Sequence, residues 1–240
     1  MRLYLGKNLS YPDEEVREVS PEEAIEMNGD GLFVGAVISE KKEKRPAVIS
    51  VRDEMFIRDK VPMTKEEIRL LSLSELRLGD GDVLYDIGCG TGSVSISAAL
   101  LSPLVRVFAL DVKEEAVELT KKNIEKFDVP NVTVIKGSAP ENLAAFPMAN
   151  AAFIGGSGGN LSSIMKELER INPNMRVVIN AVSLETVAEM NALLETTPHR
   201  DERIIQVGIT KTKKVGRYHM PEAANPIYIY SFTLGKGEEV

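Results

Sequence analysis

Asp86-Ile-Gly88-Cys89-Gly90-Thr91-Gly92 sets three glycines at alternate positions behind an aspartate. Glycines so spaced let the backbone turn tightly between a strand and a helix, and let a ligand approach where a Cβ would stand. Nineteen positions beyond Gly92 comes Asp111, at the end of the next strand-like run. A carboxylate at that point can accept hydrogen bonds from both hydroxyls of a ribose. Loop and acid together predict a nucleoside-containing ligand. The glycines follow GxGxG, not the GxGxxG that seats a pyrophosphate on a helix N-terminus. The negative charge of Asp86 beside the loop also disfavours a pyrophosphate, and suits a cationic ligand with an amino group and a sulfonium. Cys89 reads as a small loop residue, not a nucleophile.

These residues need a scaffold, and the surrounding sequence supplies one. Short, almost continuously apolar runs at 82–87, 106–111, 132–136, 151–154 and 176–181 predict strands buried on both faces of a parallel sheet. Between them, residues 93–101, 114–127, 161–171 and 184–196 read as helices. In the second helix Ala116, Val117, Leu119, Ile124 and Phe127 fall largely on one face. Strand–helix alternation at this spacing implies right-handed crossovers and a doubly wound α/β sheet. The last two runs, 204–210 and 227–234, have no helix between them and predict an antiparallel pair closing the sheet edge. Upstream, 64–76 reads as a helix opened by a capping box, Thr64 with Glu67.

The chain has 240 residues, 43% hydrophobic and 27% charged, enough for one full-size domain with an appendage. Residues 1–50 form that appendage. They are acid-rich, carry one strand-like run at 31–39, and end in a charged linker at 40–46. The main domain is expected over 51–240. A formal charge of -7 argues against a surface built to grip nucleic acid. One cysteine cannot form an internal disulfide, no apolar run approaches a membrane span, and the N-terminus lacks a signal-peptide pattern. An intracellular, cytoplasmic protein is expected, without membrane or nucleic-acid partners and without a bound metal.

The D-x-G-x-G-x-G pattern of Asp86–Gly92 resembles motif I of the S-adenosyl-L-methionine-dependent methyltransferases. That resemblance implies a Rossmann-like sheet, mostly parallel with an antiparallel last strand and helices on both faces. It implies S-adenosyl-L-methionine as cofactor, held by Asp86, Gly88, Cys89, Gly90, Thr91, Gly92 and Asp111, with Ser138 and Ala139 near the adenine. Further motifs narrow the resemblance. They are Phe56-Ile-Arg58-Asp59 with Val61-Pro62-Met63-Thr64-Lys65, then Phe153-Ile-Gly155-Gly156-Ser157-Gly158-Gly159, then Asn180-Ala181-Val182, and finally Gly216-Arg217-Tyr218-His219-Met220 with Asn225-Pro226. Over about residues 54–235 the series resembles the cobalt-precorrin-6B carbon-15 methyltransferase (decarboxylating) family of cobalamin biosynthesis. The glycine loop after the fourth strand is its most specific element.

There are departures from the family pattern. Asn150 replaces an acid before the fourth strand, and Asn172-Pro173-Asn174 replaces a Pro-Gly-Gly turn. Residues 8–14 and the run Gly-Leu-Phe-Val-Gly-Ala-Val-Ile resemble the C-terminal tail of the partner enzyme that methylates carbon 5. The appendage is therefore read as a possible remnant of a fusion.

The family's substrate is a tetrapyrrole-derived macrocycle with several carboxylate arms. A methyl group goes to ring carbon 15, and carbon dioxide leaves the acetate arm on carbon 12. Methyl transfer needs alignment more than an activated side chain. The resemblance puts the chemistry at Gly155, Gly156, Ser157 and Gly158, whose amides could cradle a carboxylate. His219 has two readings, an acid or base near neutrality and a loop-holding hydrogen bonder. Arg58, Lys65, Gly159, Asn180 and Arg217 are the substrate contacts so implied, and Thr64 would touch the cofactor. An acidic protein that binds a polyanion needs local positive charge. Arg52, Arg58, Lys60, Lys65 and Arg69 form one candidate cluster, and Lys211, Lys213, Lys214, Arg217 and His219 another. A homotetramer is implied by the resemblance alone.

Two rival readings stand beside this one. Asn225-Pro226-Ile227-Tyr228 superficially matches the N-P-P-Y box of amino-group methylases acting on RNA or DNA, but it opens the last strand instead of following the fourth. A non-catalytic nucleoside-binding subunit would keep the fold without turnover.

Overall fold

The computed structural model describes residues 2–26, 31–38 and 51–236. The chain divides into two compact units, Met1–Val48 and Ile49–Val240. In the first, β1 (Arg2–Lys7) pairs antiparallel with β2 (Glu15–Val19) on one side and β3 (Phe33–Ile38) on the other, with a short helix α1 (Pro21–Glu26) between β2 and β3. The expected linker at 40–46 lies outside the described residues.

The second unit opens with α2 (Glu66–Leu76). There follow β4 (Val83–Ile87), α3 (Ser93–Leu101), β5 (Arg106–Asp111), α4 (Glu114–Phe127) and β6 (Val132–Lys136). After them come β7 (Ala151–Ile154), α5 (Leu161–Ile171), β8 (Arg176–Ala181) and α6 (Leu184–Thr196). The chain ends with β9 (His199–Val207), β10 (Thr210–Val215), β11 (Tyr218–Ala223) and β12 (Ile227–Leu234). Seven strands form one sheet in the order β6-β5-β4-β7-β8-β12-β9. Strands β4 to β8 are mutually parallel, and β12 runs antiparallel between β8 and β9.

Alternation along β4 sorts the core into two layers. Val83, Tyr85 and Ile87 join the layer under α5, where Leu161, Ile164, Met165 and Leu168 supply an i, i+3, i+4, i+7 apolar stripe. Leu84 joins the opposite layer with Ile68, Leu73 and Leu76 of α2 and Val94, Ala98 and Ala99 of α3. Asp86 alternates with Leu84 and is therefore turned towards α3.

The order of the sheet reverses beside β4: β5 lies on one side of it and β7 on the other. Ligands of open α/β sheets bind at such a reversal, outside the carboxyl ends of the strands. Here the loop after β4 meets the loop after β7.

Three expectations need correction. The run expected at 204–210 is broken. β9 starts at His199, and beyond it β10 and β11 form a separate two-stranded hairpin before β12. Every residue of that hairpin is exposed, so it has no buried face to announce it. The capping box at Thr64 and Glu67 does not form either: α2 begins at Glu66 with Lys65 in the cap position and no side-chain cap. The Thr64 carbonyl instead accepts Arg69 Nη1 at 2.6 Å, and the Glu67 carboxylate pairs with Lys211 at 2.7 Å.

The third concerns Arg69, expected among the surface cations. It is buried, donates to the carbonyls of Thr64 and Val51, lies 3.3 Å from Asp53 Oδ1 and stacks over Phe56. It shapes residues 51–64 and offers no charge to solvent.

Candidate active site

The loop after β4 is built against its neighbours. Gly88 N and Cys89 N both donate to the Leu110 carbonyl, at 3.0 and 3.1 Å. Gly88 has φ +73°, and a Cβ there would lie 2.8 Å from the Gly156 carbonyl oxygen. Gly90 has φ +57°, and a Cβ there would lie 2.6 Å from the Pro62 carbonyl oxygen. The glycines are thus required by left-handed backbone and by close approach of protein to protein. Open access for a ligand is not what demands them.

Asp111 is held at the mouth of this loop. Its Oδ2 accepts Gly90 N at 3.0 Å and its Oδ1 accepts Lys113 N at 3.0 Å. Two backbone amides fix the carboxylate while leaving each oxygen a further lone pair. Beside it lies a cavity of about 660 Å³ lined by Thr64, Lys65, Gly88, Cys89, Gly90, Asp111, Ser138, Ala139, Gly155, Gly156, Ser157, Gly158 and Asn180. Apolar walls come from Ile87, Leu110, Val112 and Ile164.

Seven expected site residues lie outside that lining. Asp86 is buried beneath the loop, where its Oδ2 accepts Ser95 N at 3.1 Å and the Ser95 hydroxyl, while its Oδ1 has no partner. Burial pushes its carboxyl up to about 6, offset in part by the Ser95 hydrogen bonds. It anchors the start of α3 and does not face the cavity, which corrects the expectation of a charge beside the ligand. Thr91 is fully buried, and Gly92 is the N-cap of α3. Gly159 and Arg58 are exposed outside the lining. Arg217 and His219 sit on the exposed β10–β11 hairpin, where Arg217 donates to the Tyr218 hydroxyl at 2.7 Å. Cys89 lines the cavity but is buried, and burial together with the charge of Asp86 pushes its thiol well up.

One residue with a clear structural role has no place among those expectations. Asn123 of α4 is fully buried. Its Oδ1 accepts Ile57 N at 2.8 Å, and its Nδ2 donates to the carbonyls of Ile57 and Thr91, both at 2.9 Å. The signal is a carboxamide set into the apolar stripe of α4, four residues after Leu119. The two family departures also have local roles. Asn150 Oδ1 accepts Val83 N at 3.0 Å, and Asn172 Nδ2 donates to the Ala149 carbonyl at 2.8 Å.

Comparison with known proteins gives this crevice its family. Residues 54–234 match the family model described as a precorrin methyltransferase domain. The chain belongs to the precorrin methyltransferase family. A relative from Pyrobaculum calidifontis, named a probable cobalt-precorrin-6B C(15)-methyltransferase (decarboxylating), is 44% identical over 188 residues, 76% of this chain and 95% of its own. A solved structure from Geobacter metallireducens, a precorrin-6y C5,15-methyltransferase, superposes with TM-score 0.74 at 36% identity, covering 80% of this chain and 100% of that one. The precorrin 8W decarboxylase of Methanobacterium thermoautotrophicum gives 0.69 at 33% identity, over 76% and 98%. The precorrin methyltransferase match spans β4 to β12 and both loops that wall the cavity.

Proposed function

We propose that this chain methylates carbon 15 of cobalt-precorrin-6B with S-adenosyl-L-methionine and removes carbon dioxide from the acetate arm on carbon 12. The observation that carries the proposal is the meeting of two loops on one cavity: Gly88–Gly90 with Asp111 on one wall, Gly155–Gly158 on the other. When bound, the cofactor supplies an electrophilic methyl group on a sulfonium centre. Asp111, its oxygens already oriented by two amides, would accept the ribose hydroxyls. Val112 and Ala139 provide apolar surface for the base. The walls hold the two reactants close and aligned, which is the main demand of an in-line displacement. Lys65 supplies positive charge at the rim for a polycarboxylate.

A reading on RNA draws no support from the site: Asn225 of the N-P-I-Y sequence is exposed and lies outside the cavity lining. Among the described residues no helix is long and apolar enough to cross a membrane. A homotetramer, cytoplasmic and with the hairpin as a contact, completes the reading. Val215 of β10 and Tyr218 and Met220 of β11 are each more than half exposed, as an intermolecular surface would require. In that arrangement Arg217 and His219 would act from an interface. The separate N-terminal unit is read as a retained end of a carbon-5 methylating partner, on the strength of its sequence alone.

The test is anaerobic incubation of the chain with S-adenosyl-L-methionine and cobalt-precorrin-6B, read by mass spectrometry. Gain of a methyl group with loss of carbon dioxide is expected. An unchanged tetrapyrrole with the cofactor bound would overturn the substrate assignment.

A further inference from the structure

A second, smaller cavity of about 160 Å³ opens beside the first. The two share Gly155, Gly156, Ser157, Asn180 and Val182. The smaller one runs back between β7, β8 and α6 to Ile154, Leu161 and Ile179. It has room for a short side arm, not for a macrocycle.

Its polar groups converge at the mouth. Asn180 is 9% exposed and borders both cavities. Its Oδ1 accepts the Ser72 hydroxyl at 3.1 Å, and its Nδ2 has no partner among the described residues. Among the described residues the Ser157 hydroxyl makes no hydrogen bond, and the amides of Gly156 and Ser157, which both line this cavity, donate none. Ser183 Oγ accepts Thr186 N at 3.2 Å and so satisfies the start of α6. The Asn180 Nδ2, the Ser157 hydroxyl and the two loop amides are donors that an anion could take up. The interior behind them is apolar.

We infer that this side cavity is the subsite for the carboxylate arm that is lost: the Asn180 side chain, the Ser157 hydroxyl and the Gly156 and Ser157 amides grip the acetate while the methyl acceptor faces the main cavity. The inference rests on the proposed function and deepens it. Carbon 12 belongs to the ring that carbon 15 adjoins, so an arm on it reaches a chamber that shares a wall with the methyl-transfer cavity. In the step, the bond between the arm's methylene and its carboxylate carbon breaks. The electron pair stays with the methylene and spreads into the conjugated macrocycle. A proton from water then completes a methyl group, and neutral carbon dioxide leaves. Apolar walls suit the neutral product better than the carboxylate, and the charged form is retained only by the donors at the mouth.

Two variants and two readouts test it. Thr186→Leu fills the chamber from α6 without touching the main cavity, and Asn180→Asp replaces a donor by an anion. In turnover of cobalt-precorrin-6B, wild type is expected to give methylated, decarboxylated product. Thr186→Leu is expected to bind S-adenosylhomocysteine within twofold of wild type, while the ratio of decarboxylated to merely methylated product falls at least tenfold. An unchanged ratio in both variants overturns the inference. Independently of turnover, acetate is titrated into the S-adenosylhomocysteine complex and followed by amide NMR. Saturable shifts at the Gly156 and Ser157 amides and the Asn180 side chain, abolished in Asn180→Asp, are expected; absence of shifts there overturns the subsite. A wild type inert towards the precorrin yet showing these shifts would refute the proposed function and leave an anion subsite standing.

Discussion

The side-chain amide of Asn123 donates to the carbonyl of Thr91 across 2.9 Å, behind the glycine loop. The same carboxamide closes a two-way pair with the backbone of Ile57. One residue of α4 thus ties the segment ahead of α2 to the loop after β4. Phe56 reinforces the tie by packing on Phe127 of α4 at 4.9 Å between ring centroids. Asn123→Ala would leave the buried Thr91 carbonyl and the amide and carbonyl of Ile57 without their side-chain partner. A loss of about 2–4 kcal/mol is expected in denaturant unfolding, with a raised KM for the cofactor because Pro62 and Gly90 lose their shared support. A loss under about 1 kcal/mol would contradict the latch.

Asp111→Ala should weaken cofactor binding by about 1–3 kcal/mol through lost charge-assisted hydrogen bonds. Calorimetry with S-adenosylhomocysteine measures it. Unchanged affinity would remove Asp111 from the ribose.

Asp86 gives a pH dependence with a defined sign. Its carboxyl rises from 3.8 to about 6 on folding because it is buried. Below the lower value both states are protonated and the site carries no penalty. Between the two values the folded chain keeps a proton that the unfolded chain has released, so stability falls as pH rises. Above the upper value the loss is complete, at about 3 kcal/mol. Asp86→Asn has no such loss. Relative to wild type it should gain about 3 kcal/mol between about pH 4 and about pH 7 in guanidinium unfolding. Parallel pH profiles for the two proteins would contradict the assignment.

Arg69→Lys separates a structural cation from a surface one. A lysine keeps the charge but cannot reproduce a planar fork that reaches the carbonyls of Val51 and Thr64 together. Destabilisation of about 2 kcal/mol is expected in thermal or chemical unfolding. Unchanged stability with weakened substrate binding would return Arg69 to the polyanion site.

Much of the fold is legible in the sequence because of its architecture. Strands β4, β7 and β8 are buried on both faces and read as almost continuously apolar runs, and α5 carries a clean apolar stripe. The glycine loop and Asp111 are legible because their spacing follows from one strand–turn–helix unit. What is not legible depends on distant parts of the chain. Asn123 meets Ile57 across 66 positions, a relation no local periodicity carries. Arg69 looks like a surface cation until residues 51–64 fold around it. The hairpin β10–β11 has no buried face, so nothing in its pattern separates it from a loop. The Asn180 carboxamide is quoted by its motif, but only the meeting of β8 with the loop after β7 gives it a chamber to face.

The central claim is that one crevice, between Gly88–Gly90 with Asp111 and the loop Gly155–Gly158, holds the methyl donor. A crystal structure of the full chain with S-adenosylhomocysteine tests it most directly. The account predicts both ribose hydroxyls on the Asp111 carboxylate, the base against Val112 and Ala139, and the sulfur facing Gly155–Ser157. Cofactor bound elsewhere, or a ribose that does not touch Asp111, would contradict it.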